Sequence, residues 1–180
     1  MIRLFVAIAL PASVRERLAG LAGGVPGARW MAPEAMHVTL RFIGEVPDGE
    51  LPDVIAALAG VHVPAFALTL AGVGHFGKAR KARALWAGVA PNPALDRLHA
   101  AVVAALDRAG MAPAARKFVP HVTLARLKNA PAGRIGVFVA AHNLLRVGPF
   151  PVDDFSLFSS YLSHDGARHR VEATFPLERD

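Results

Sequence analysis

The sequence predicts an α+β fold: two pseudo-symmetric lobes of antiparallel sheet, with outer helices, around a central cleft. Three observations carry that prediction. Strand and helix patterns follow one another without strict βαβ alternation, and an Asp-Gly hairpin signal lies near the C-terminus. His37-Val38-Thr39-Leu40 returns as His121-Val122-Thr123-Leu124, 84 positions later, inside an extended segment each time. Hydrophobic residues make up 53% of the 180 positions, enough for a sizeable core. The whole chain, 1-180, is expected to be a single bilobal domain in which each lobe contributes one His-x-Thr-Leu motif, at 37-40 and 121-124.

Residues 2 to 9 form an apolar run that reads as a buried first strand. Arg3 and the run Leu4 to Leu10 imitate a short secretory signal, but Pro11, Arg15, Glu16 and Arg17 follow with no cleavage site. Ser13 to Leu21 reads as a short helix ended by Gly23-Gly24, and the next strand begins near Met36. Val46-Pro47-Asp48 looks like a cap for a helix whose apolar stripe is Leu51, Val54, Ile55 and Leu58, stopped by Gly60. Two strands follow, from 65 to 75 and from 84 to 90. Asn92-Pro93 opens the clearest helix, with Leu95, Leu98, Val102, Ala105 and Leu106 at helical spacing before Gly110. A strand spans 118 to 127, and Ile135, Phe138, Val139 and His142 mark a further short helix. Two last strands, about 150 to 162 and 168 to 177, flank the turn at His164-Asp165-Gly166-Ala167.

No run approaches the ~18 apolar residues of a membrane-spanning helix, so the apolar content reads as core and no membrane is expected. The absence of cysteine removes disulfides and thiolate metal sites and suits a cytoplasmic protein. Twenty Lys and Arg against fourteen Asp and Glu, a formal charge of +6, favour a polyanionic partner. The densest cationic cluster, Lys78, Arg80, Lys81 and Arg83, follows His75-Phe76-Gly77 and reads either as a solvated hairpin loop or as a phosphate-backbone contact.

In a strand, residues i and i+2 share a face. His37 therefore projects with Thr39, and His121 with Thr123, while Val38, Leu40, Val122 and Leu124 point to the core. Two lobes facing each other would set the imidazoles on opposite sides of one phosphorus, as in-line displacement requires. One neutral ring would take a proton from the attacking water; the other, as imidazolium, would protonate the departing sugar oxygen. The hydroxyls of Thr39 and Thr123 would donate to the non-bridging oxygens. Zinc is the competing reading, and the spacing is against it: there is no Cys, no His-x-His and no His-Glu-x-x-His. No metal and no cofactor are called for. His62, His75, His99, His142, His164 and His169 read as surface or core residues. Symmetry leaves the acid and base roles of the two motifs interchangeable.

These residues resemble the two-histidine phosphoesterase superfamily, in its RNA 2',3'-cyclic phosphodiesterase or 2'-5' RNA ligase branch. The resemblance runs through Arg3-Leu4-Phe5-Val6-Ala7-Ile8, both motifs, Phe42-Ile43-Gly44-Glu45-Val46, Leu85-Trp86-Ala87-Gly88-Val89 and the closing strands. It implies opening of a terminal 2',3'-cyclic phosphate to a 2'-phosphate, with RNA ends, tRNA fragments among them, as partners. It also implies that His37 is the proton donor, that His121 is the acceptor, and that ligation through a 2'-5' linkage, itself reversible, is the same chemistry with a ribose hydroxyl replacing water. A monomer is the default expectation and is not part of the resemblance. Arg126 matches a phosphate-binding arginine, although strict alternation puts it on the face opposite His121 unless the strand ends, twists or bulges first. Phe5 matches an aromatic that stacks on the terminal base, and it reads equally as core. Two other classes stay open: a non-catalytic RNA-binding module, and a phosphodiesterase for a small cyclic nucleotide. Two intact motifs speak against the first, and the basic loop at 78 to 83 speaks against the second.

Overall fold

The computed structural model describes residues 1–111 and 116–179. Thirteen main elements run in the order β1 (Ile2–Ala9), α1 (Ala12–Ala19), β2 (Ala28–Trp30), β3 (His37–Val46), α2 (Leu51–Ala59), β4 (Phe66–Phe76), β5 (Ala84–Val89), α3 (Pro93–Arg108), β6 (His121–Leu127), α4 (Ala132–His142), β7 (Arg146–Val152), β8 (Asp154–Ser163) and β9 (Gly166–Pro176). Among the described residues no helix is long and apolar enough to cross a membrane.

The strand order is β7-β4-β5-β6-β3-β1-β8-β9, with β2 added on β6, and the named strand pairs are antiparallel. Two halves are visible in it. One lobe is β3-β1-β8-β9 and the other is β7-β4-β5-β6, and they join where Val38 stands opposite Val122. The expected lobes are therefore halves of one continuous sheet, and their seam runs through the two His-x-Thr strands. Past the seam, β6 pairs with β2 instead of β3. The sheet face bearing Val38, Leu40, Val122 and Leu124 is sealed, each of these being 3% exposed or less. α3 packs against β3 and β4, and α4 against β4. The burial of each such Val or Leu side chain is worth about 1.5–3 kcal/mol.

Local chemistry explains most boundaries. Asn92 caps α3 as its sequence predicts: its Oδ1 accepts from the amides of Ala94 and Leu95, each at 3.1 Å, and Pro93 occupies the first turn. Asp48 does not cap α2. It opens a 3-10 turn, Asp48–Glu50, and its carboxylate lies 2.9 Å from the Met1 amino group, while α2 has no side-chain cap. The strand expected from 150 to 162 is two strands, broken at Asp153, because β7 pairs with β4 in one lobe and β8 with β1 in the other. The strand expected from 118 starts at His121, and β2 has no counterpart in the sequence reading.

Candidate active site

β3 and β6 carry the same burial sequence over their first six residues: half-buried, buried, half-buried, buried, buried, exposed. The repeat of two buried residues has one cause in both strands. Against β1, Val6 pairs with Arg41 and Ala7 with Thr39, so Leu40 is an extra residue; against β5, Leu85 pairs with Ala125 and Trp86 with Thr123, so Leu124 is. Each strand bulges just after its threonine, and the bulge reverses the alternation beyond it. Arg126 is thereby returned to the face of His121 and Thr123, the condition its proposed role required. Phe42 is brought to the corresponding place beside His37.

The two imidazoles are held identically. Nδ1 of His37 lies 2.8 Å from the carbonyl of Ala35, and Nδ1 of His121 lies 2.7 Å from the carbonyl of Val119. A carbonyl only accepts, so Nδ1 carries the hydrogen in both neutral rings and Nε2 is left for a ligand. The antiparallel sense about Val38 and Val122 sets His37 across from Thr123 and Thr39 across from His121. Neither threonine hydroxyl has a hydrogen-bond partner among the described residues.

The surroundings differ. His37 packs on Phe5 at 4.9 Å between ring centres, with His169 edge-on at 5.3 Å and Phe158 beyond at 6.2 Å. His121 meets the edge of Phe76 at 4.7 Å, and Phe76 in turn contacts Trp86. Burial holds His37 down at about 4, with the charges of His169, His121 and Arg126 acting in the same direction against the Ala35 carbonyl. His121 is also lowered, first by burial and then by Arg126, with the Val119 carbonyl opposing. His169 is lowered by burial and by Arg126. The Arg126 charge thus acts on all three rings in the same direction.

Phe5 is 2% exposed, which corrects the stacking role considered for it: it supports His37 from below and has no free face for a base. Lys78, Arg80, Lys81 and Arg83 lie on the exposed β4–β5 loop, around a 3-10 turn at Ala79–Lys81. Ala84 pairs with Arg126, so the loop borders the Arg126 end of β6 rather than the histidines. A hollow of about 270 Å³ between this loop and α4 includes His75, Ile135 and Val139, away from the two motifs.

Of the other histidines, His99 stacks on Phe118 at 3.8 Å, His142 lies on Phe138, and His62 is 3.8 Å from Glu178. His169 is the one the sequence reading missed. Alternation within β9 puts it on some face, but only the pairing of β9 to β8 and of β8 to β1 reveals which. Among the described residues no group of three His, Cys, Asp or Glu is arranged to hold a metal ion.

The model of the LigT-like phosphoesterase matches residues 8–86 and again 88–168, one His-x-Thr motif in each segment. The chain belongs to that family. An RNA 2',3'-cyclic phosphodiesterase of Thermus thermophilus is 34% identical over 187 residues, covering 97% of this chain and 90% of the relative. One from Archaeoglobus fulgidus is 31% identical over 167 residues, covering 91% and 94%. A relative of the same name from Geobacillus stearothermophilus is 34% identical over 128 residues, and the match spans 41% of that longer protein. The crystal structure of Escherichia coli LigT complexed with 3'-AMP superposes with a TM-score of 0.77 at 27% identity, covering 98% of both chains.

Proposed function

We propose that the protein opens RNA 2',3'-cyclic phosphate ends to 2'-phosphates by acid–base catalysis between His37 and His121. The observation that carries this reading is the twofold relation of the motifs: two imidazoles, each fixed through Nδ1 and each across from the other's threonine, with Arg126 on the same face of β6 as His121. The family relatives named for this activity support it. Water attacks phosphorus and gives its proton to one Nε2. The bond from phosphorus to O3' breaks, and O3' takes a proton from the other Nε2. Thr39, Thr123 and Arg126 hold the non-bridging oxygens as their charge grows.

In the free protein burial keeps both rings below the usual histidine range, so the proton for the leaving oxygen is stabilised only once an anionic phosphodiester occupies the cleft. Family resemblance makes His37 the donor and His121 the acceptor. One observation favours the reverse: His37, held at about 4, is the more deeply buried ring and the more readily neutral. An aryl phosphodiester separates the two directions, since its phenolate leaves without a proton. The donor's alanine variant keeps turnover on that substrate, and the acceptor's variant loses it. Ribose 5'-hydroxyl in place of water would give 2'-5' ligation with the same groups.

The test is product identification. Purified protein in EDTA, given an oligoribonucleotide ending in a 2',3'-cyclic phosphate, is expected to yield the 2'-phosphomonoester. Bound but unreacted RNA would replace this reading with a binding module, and a 3'-phosphate product would contradict the assignment of the leaving oxygen.

A further inference from the structure

We infer that Arg29 forms a second phosphate subsite next to Arg126, taking the phosphodiester on the 5' side of the reacting nucleotide and selecting oligonucleotide ends over cyclic mononucleotides. The inference rests on the function proposed above.

β2 pairs with β6 so that Arg29 stands directly opposite Arg126. Directly opposed residues share a face at about 5 Å between Cβ atoms, where like charges destabilise the pair. The face is settled by the next residue: Trp30 packs on Phe138 of α4 at 5.6 Å, so Trp30 is on the helix side and Arg29 on the cleft side. No carboxylate compensates these two cations among the described residues. The Arg29 guanidinium donates to the backbone carbonyl of Asp165 at the tip of the β8–β9 hairpin, while the Asp165 carboxylate lies 3.6 Å from Arg168. An opposed, uncompensated arginine pair facing a phosphate-handling cleft is an anion site.

The Arg29 guanidinium also lies directly against the hairpin turn. Gly166 in the hairpin turn has φ +113°, and a Cβ there would lie 2.6 Å from Nη2 of Arg29. The turn glycine leaves room for the guanidinium as well as allowing the bend. The same hairpin carries His169 to the edge of His37, so its tip and the reacting centre border one cleft. Arg126 shares its strand and face with His121 and Thr123, which assigns it the reacting phosphate and leaves Arg29, one strand away on β2, for the next one. In an RNA ending in a cyclic phosphate, the next phosphate is attached through the 5' oxygen of the terminal nucleotide.

A purely mechanical role, tying the hairpin to the opposite lobe, predicts a different outcome, and Arg29→Gln separates the two because glutamine can still donate to the Asp165 carbonyl. The measurement compares kcat and KM on a trinucleotide ending in a 2',3'-cyclic phosphate with those on a nucleoside 2',3'-cyclic phosphate, at several salt concentrations. For Arg29→Gln, KM for the trinucleotide is expected to rise about tenfold at unchanged kcat. The nucleoside, which has no second phosphate to offer, should change less than twofold. The slope of log(1/KM) against log salt for the trinucleotide should shrink by about 0.7, and Arg29→Lys should restore much of the loss. An equal change on both substrates, or none on the trinucleotide, would overturn the second subsite. An unaltered protein that opens neither substrate would overturn the function proposed above instead.

Discussion

The first six residues of β3 and of β6 share a sequence pattern, a bulge and a backbone anchor for histidine, yet they end on different chemistry. The bulge delivers Phe42, 67% exposed, to one rim of the cleft and Arg126 to the other. The ring environments differ in the same sense, since His37 rests on Phe5 with His169 at its edge, while His121 is the less enclosed. A repeated strand thus supplies symmetric proton-transfer groups, and the residues after the bulge break the symmetry. One rim is left cationic for phosphate. The other is aromatic.

The largest effects should obey the symmetry. His37→Ala and His121→Ala are each expected to reduce turnover of a cyclic-phosphate RNA end by about 10²- to 10⁴-fold, as measured by product formation. A variant that kept near-full activity would remove its ring from the mechanism. Thr39→Ala and Thr123→Ala test the crossed arrangement, in which each hydroxyl serves the other motif's histidine. Losses of about 10²-fold in kcat, similar for the two, are expected. The asymmetric position should then show itself. Arg126→Met is expected to lower kcat/KM by roughly tenfold or more, from the loss of charge-assisted hydrogen bonds. Phe42→Leu should change stability by less than about 0.5 kcal/mol, because its ring is mostly in solvent.

The acid dependence of stability tests the burial of one ring. His37 is held at about 4 in the folded chain and titrates near 6.5 when unfolded, so the unfolded state binds the extra proton. Stability should therefore be complete above pH 6.5 and fall as pH drops toward 4, by on the order of 3 kcal/mol from this one group. Chemical denaturation of His37→Gln should lack that part of the fall. An identical acid dependence in the variant would mean that the ring is not buried as described.

Much of this was legible in the sequence because period-two strands announce which residues share a face. His37 with Thr39, His121 with Thr123, and the inward Val and Leu residues all follow from alternation alone. Arg126 marks the limit of that rule: the need for a bulge could be stated from the sequence, but its location depends on how β6 pairs with β5. Arg29 and His169 were not legible for a related reason. Arg29 sits on β2, whose partner β6 is distant in the chain, and His169 sits on a hairpin whose strand β8 reaches β3 only through β1, so sheet order brings both to the cleft. Phe5 reads as aromatic and near the first motif in the fold. That it lies under His37 rather than beside it is decided by packing between β1, β3 and β8.

The pairing of acid and base is tested most directly by the pH dependence of kcat and of kcat/KM on one cyclic-phosphate RNA, for the unaltered protein and the two histidine variants. The unaltered protein is expected to give bell-shaped profiles, with the alkaline limb of kcat at higher pH than that of kcat/KM because bound phosphate raises the imidazolium's pKa. Each alanine variant should retain one limb and lose the other. A flat profile from pH 5 to 9, or the loss of the same limb in both variants, would contradict two histidines working as an acid and a base.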